Sequence, residues 1–173
     1  MRVKKIEPAR QGDLDSLCGF YSIVNMMYWF YGNKIKRKIL FNVLINYFSD
    51  HWPVSECLTM GIDSSQMDTL LSFLKQGRYS KYPVNITQPF RIKRPNNKVG
   101  VLRDFRNYLA SGHERVILLG DQFHWSVVTG IDKDNFYFFD SCNYCVAPHS
   151  NYSLRKQTGK IQLYPEGIYF VEK

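Results

Sequence analysis

From residue 18 the chain runs CGFYSIVNMMYWFYG with hardly a polar side chain. A helix that is apolar around its whole circumference has to be buried on every side. Asp and Ser in the preceding DLDSL (13–17) are candidate N-terminal caps, and Gly32 can end the helix. KIKRKILFNVLINYFS (34–49) predicts a second helix with a basic first turn. Asp63-Ser64-Ser65 caps a third, SQMDTLLSFLKQG, which Gly77 stops. YPVNITQPFRIKRP (82–95) reads as a strand punctuated by prolines, and PNNKVG (95–100) as a loop. VLRDFRNYLAS (101–111) is an amphipathic helix closed by Gly112. The stretches 50–62 and 77–99 read as loops inserted within one unit.

The period then changes from helix to strand. RVILLG, HWSVVTGID and NFYFFDS are short runs rich in β-branched and aromatic residues, and Asp132-Lys133-Asp134-Asn135 has the composition of a hairpin turn. KIQLYPEGIYFVEK (160–173) supplies one or two more strands. Helices first and an antiparallel sheet afterwards predict an α+β fold. No repeat, low-complexity segment or linker divides the chain, so residues 1–173 are read as a single domain. Apolar content of 45% and aromatic content of 16% are enough for a packed core.

A net charge of +8 permits contact with an anionic partner. No basic cluster exceeds KIKRK and no nucleic-acid motif accompanies it, so a dedicated nucleic-acid face is not expected. The N-terminal residues carry charge without an apolar core, so no secretory signal is expected. No run reaches membrane-span length either. The expectation is a cytoplasmic chain as synthesised, with export by a signal-independent route left open.

Of the cysteines, Cys142 and Cys145 have C-x-x-C spacing, but no second half of a zinc module exists. His51 and Cys57 match no ligand spacing. Free thiols are expected, with no metal and no cofactor. Cys18 is different because it opens the apolar helix. It is either a structural thiol or a nucleophile favoured by the unpaired N–H groups and dipole of a helix start. In the second case Gly19 leaves room for approach, and Gln11 can offer a side-chain amide to an oxyanion. A thiol nucleophile needs an imidazole and a group that orients it. His113 lies in the polar turn SGHER, and His51 and His149 lie in loops beside prolines. His124 begins a strand. A hairpin turning at 132–135 brings Asp140 within about two residues of its register. The pair is either a catalytic base with its orienting carboxylate or a core histidine satisfied by an aspartate.

The order Gln11, Cys18-Gly19, then His124 opening and Asp140 closing a hairpin resembles the papain-like cysteine peptidases. The nearest likeness is to the bacteriocin-processing, double-glycine leader peptidases, which also have an apolar strand before the histidine and V-V-x-G after it. It spans about residues 8–32 and 100–142. The resemblance implies Cys18 as nucleophile, His124 as general base and acid, Asp140 as orienting group and Gln11 as oxyanion donor. Three positions depart from the family pattern. The gap from Gln11 to Cys18 is one residue longer, Leu17 stands where an aspartate is usual, and Ser141 where a proline is usual. No transporter body accompanies the segment, which implies a free-standing bacterial cysteine peptidase acting on a peptide or protein substrate. The same triad also serves glutamine deamidases, amidases and acyltransferases among effectors and toxins of this fold. A non-catalytic interaction module on it is a further alternative. Trp125 is expected to pack, and the loop HWPVSECLTMGID (51–63), with Trp52, to overhang a cleft.

Overall fold

The computed structural model describes residues 6–12, 15–112, 114–142 and 145–173. Helices come first: α1 (Cys18–Tyr31), α2 (Arg37–Ser49), α3 (Val54–Met60) and α4 (Ser64–Phe73). A short strand β1 (Asn85–Thr87), the one-turn helix α5 (Pro89–Ile92) and helix α6 (Lys98–Ala110) follow. The remainder is mostly strand: β2 (Arg115–Asp121), β3 (Trp125–Ile131), β4 (Asn135–Phe138), β5 (Val146–Pro148), β6 (Tyr152–Ser153) and β7 (Ile161–Glu172). The sheet order is β1-β7-β2-β3-β4-β5 with antiparallel neighbours throughout, and β6 adds a parallel pairing to β7. This is the α+β order that the change of period predicts.

Helices cover both faces of the sheet, which explains why β2 reads as a continuous apolar run instead of an alternating one. Val116 and Leu118 point into the layer built by α1, α2 and α4, with Val127, Tyr169 and Val171 beside them. Ile117 and Leu119 point the other way, onto Val101, Leu102 and Phe105 of α6, with Val128, Phe136, Ile168 and Phe170. The register agrees: Leu118 lies opposite Val127 and Tyr169, and Ile117 opposite Val128 and Phe170. Helix α1 is buried along most of its length, and Gly32 ends it in the left-handed region at φ 53°. Among the described residues, no helix is long and apolar enough to cross a membrane.

Several local expectations are corrected. The N-cap of α1 is Leu17, with no side-chain cap. Ser16 instead donates to the Thr59 carbonyl, and the Asp15 carboxylate accepts from the Leu17 N–H. Asp13, the other candidate cap, lies outside the described residues. The stretch 50–62 holds helix α3 rather than a plain loop. Of 82–95 only Asn85–Thr87 is strand, because Pro89 starts a helical turn. Helix α6 begins at Lys98, within the expected loop, where the Asn97 side chain accepts from the Gly100 N–H and so caps it. The cap of α4 is as expected: Asp63 and Gln66 form a reciprocal capping box.

Gly120, near the end of β2, faces the Trp125 indole. A Cβ there would sit 2.8 Å from the ring, and the ring is itself held by a 2.9 Å hydrogen bond from Nε1 to the Ile62 carbonyl. Gly120→Ala should therefore cost about 1–3 kcal/mol, the usual penalty of overpacking. Urea unfolding measures this directly; an unchanged midpoint would mean that the indole moves aside freely.

Candidate active site

Three chain segments meet at one end of β2 and β3. The first holds Cys18 at the start of α1. Cys18 is 6% exposed, and its thiol donates to the Ser16 carbonyl at 3.9 Å. Cys18 is the first residue of the helix, and the N–H groups of Phe20 and Tyr21 both bond the Leu17 carbonyl at its start.

The second segment is the tight turn from β2 to β3. The Asp121 N–H bonds the His124 carbonyl, and the Asp121 carboxylate accepts from the N–H groups of Phe123 at 2.8 Å and His124 at 2.9 Å. A short side-chain carboxylate closing its own turn in this way fixes the backbone that carries His124. Burial raises the pKa of Asp121, and those two backbone bonds offset part of the effect.

The third segment leaves β4. The Asp140 side chain is 1% exposed, and its Oδ1 lies 2.9 Å from His124 Nε2 and accepts the Cys142 N–H at 2.7 Å. Val128 pairs with Phe138, so the hairpin register sets Asp140 two residues from His124 across the ladder. With Nε2 engaged by Asp140, the other ring nitrogen, Nδ1, is left for the thiols. Cys18 acts on His124 both as hydrogen-bond partner and as charge, and Cys142 Sγ is 3.9 Å from Nδ1. Burial alone pulls the imidazole pKa down, but the hydrogen bonds and charges of Asp140 and Cys18 outweigh it and lift the value to about 11. Both partners favour the protonated imidazole.

Gln11 reaches the site by two anchors. Its N–H bonds the Ser141 carbonyl at 3.1 Å, next to Asp140. Two residues upstream, Asn25 of α1 clamps Ala9, accepting its N–H at 2.7 Å and donating to its carbonyl at 3.1 Å. The Gln11 side-chain nitrogen donates to the Asp15 carbonyl. The longer Gln11–Cys18 spacing thus folds back on itself through Asp15.

Gln11, Cys18, His124, Trp125, Ser141 and Cys142 all line one cleft of about 940 Å³. Thr59, Met60, Gly61, Ile62 and Asp63 form part of its wall, so the 51–63 segment does border it, although Trp52 packs on Phe48 in the core. Met60 and Phe123 stand exposed along the same lining. Trp125 packs in the core and presents an edge to the cleft. Among the described residues the lining carries the carboxylates of Asp15, Asp63, Asp121 and Glu166 against Arg10 and the His124 imidazole, the reverse of the chain's net charge of +8. His51 and His149 hydrogen-bond the carbonyls of Tyr47 and Lys133, away from this lining. His113 lies outside the described residues.

Sequence reasoning missed Asn25, Asp121 and Cys142. Asn25 was visible as the one amide in an apolar run, and a buried amide needs partners. Cys142 follows Asp140 by two residues. That puts both on one side of an extended chain, a stronger signal than its C-x-x-C spacing. All four cysteines are free, Cys57 buried and Cys145 exposed.

Asn25→Ala should destabilise the chain by about 1–3 kcal/mol, because it strands the Ala9 N–H and carbonyl. Chemical denaturation tests this. An unchanged stability would show that water replaces the clamp.

Comparison of the chain with protein-family models, with curated proteins and with solved structures finds no match.

Proposed function

We propose that the chain is a cysteine-dependent hydrolase of papain-like fold that cleaves an amide bond, of the peptidase type, through a thioacyl intermediate. One observation carries the reading. Cys18, at a helix start, shares a cleft with His124, whose far ring nitrogen is held by buried Asp140 at 2.9 Å. That is the order of parts a thiol nucleophile needs: sulfur, imidazole, orienting carboxylate.

In this reading the Cys18 sulfur attacks the substrate carbonyl carbon and the carbonyl electrons move to oxygen. The Cys18 N–H and the Gln11 amide receive that oxyanion; an amide nitrogen carries two hydrogens, so one remains after Asp15 is satisfied. His124 Nδ1 gives its proton to the leaving amine as the C–N bond breaks, which leaves a thioester on Cys18. Water then loses a proton to Nδ1 and attacks the thioester; the C–S bond breaks and the acid leaves, which returns Cys18 to thiolate and His124 to imidazolium. Asp140 accepts from Nε2–H throughout and keeps Nδ1 facing the sulfur. The acidic lining favours a neutral or cationic substrate segment, so an anionic partner would meet the basic surface elsewhere.

The test is a proteome treated with the wild-type chain and with Cys18→Ala, compared by mass spectrometry. New peptide termini that only the wild type generates support a peptidase. Glutamine-to-glutamate conversion without new termini points to a deamidase. No difference between the two proteins contradicts the hydrolase reading. A second reading, a non-catalytic interaction module, draws on the 6% exposure of Cys18 and predicts that last result.

A further inference from the structure

We infer that Cys142 turns the nucleophile's imidazole into a binding site for a thiophilic divalent cation of the zinc class, and that the occupied site holds Cys18 in a blocked state. The ligand atoms of His124, Asp140 and Cys142 lie within 4.8 Å of one another. Cys142 Sγ is 3.9 Å from His124 Nδ1. Zinc bonds of ~2.3 Å to sulfur and ~2.0–2.1 Å to nitrogen, at a tetrahedral angle, separate the two ligand atoms by about 3.6 Å. A shift of a few tenths of an ångström in one side chain closes that gap.

The other groups are those a zinc site requires. A ligating histidine usually donates its second ring N–H to a carboxylate, which fixes the ring and strengthens the ligand. Asp140 already does this at 2.9 Å, and its Oδ2 is buried without a hydrogen-bond partner among the described residues. The Asp140 carboxylate is the third group of this cluster, and Cys18, which lines the same cleft, loses the service of an imidazole that a cation occupies. One thiolate, one carboxylate and one neutral imidazole leave a fourth, open position toward the cleft, and the two negative charges balance a divalent ion. Binding releases the Cys142 thiol proton and the Nδ1 proton; no redox step is involved. Cys145, which shares the C-x-x-C spacing with Cys142, is exposed and stands outside this cluster.

Cation binding does not depend on the hydrolytic reading; only the inhibition does. The experiment therefore uses metal alone. Cobalt(II) is titrated into the chain and followed by thiolate charge-transfer absorption, with zinc as competitor. Cys18 alkylation by iodoacetamide is measured with and without zinc by site-resolved mass spectrometry. The expected result is one ion per chain, and at least ten-fold slower Cys18 alkylation in zinc that a chelator reverses. Cys142→Ser should weaken cobalt binding at least ten-fold and abolish the protection, measured as the ratio within that variant. Cys145→Ser should bind as the wild type does, and circular dichroism confirms that both variants fold. Absence of the charge-transfer band overturns the site. So does binding that survives Cys142→Ser or is lost in Cys145→Ser. A proteome experiment without hydrolysis would leave these outcomes untouched.

Discussion

Cys18→Ala is expected to abolish hydrolysis of any substrate the proteome comparison reveals, by a factor on the order of 10⁵–10⁶. Losing a nucleophile removes the covalent route altogether; only residual binding and oxyanion stabilisation remain. The fold should survive, because deleting one buried sulfur from a site that is already small costs about 1 kcal/mol. Far-UV circular dichroism and urea unfolding check that point, and initial rates on the identified substrate check the first. A variant that folds and still hydrolyses would mean that the chemistry belongs elsewhere.

The second large effect is at Asp140. Asp140→Asn keeps the shape and can still accept from His124 Nε2–H and the Cys142 N–H, but it removes the negative charge. A rate loss on the order of 10⁴ is expected, the scale seen when an orienting carboxylate in a catalytic triad becomes an amide. A second readout separates this from a merely structural role. Burial works against the His124 charge, and the bonds and charges of Asp140 and Cys18 hold its pKa at about 11. A folded pKa above the unfolded value of about 6.5 contributes stability that is complete below that value and lost as pH rises through about 11. Without the carboxylate the folded pKa falls, so the variant's deficit should be larger near about pH 6 than near about pH 10. Urea unfolding at the two pH values tests the sign, and an imidazole NMR titration tests the pKa. An equal deficit at both would assign Asp140 a packing role only.

Much of this site could be read before any coordinates. The turn 132–135 starts the hairpin, and an irregularity between Val128 and Gly130, which no sequence pattern announced, shifts the register by one and brings Asp140 to the His124 side. Helix α1 announced itself by an apolar circumference, and β2 by a run with no polar phase. What failed was decided by tertiary contacts. The polar residues before α1 looked like caps, yet Ser16 donates to Thr59 and Asp15 closes onto Leu17. Strand β1 exists because β7 is there to pair with it, and three residues have no period of their own. Helix α3 is a seven-residue helix whose Cys57 alone is buried, too short for amphipathic patterning. Cys142 was judged by its spacing to Cys145, when its real neighbour was an imidazole eighteen residues earlier in the chain.

The central claim is that His124 and Asp140 activate Cys18. Site-resolved alkylation by iodoacetamide, in the presence of a chelator and near about pH 6, tests it most directly, because an unassisted thiol is almost wholly protonated there. The account predicts that Cys18 reacts at least ten-fold faster than free cysteine, and that His124→Ala removes the advantage. A Cys18 that reacts no faster than free cysteine, or whose rate is unchanged in His124→Ala, would contradict it.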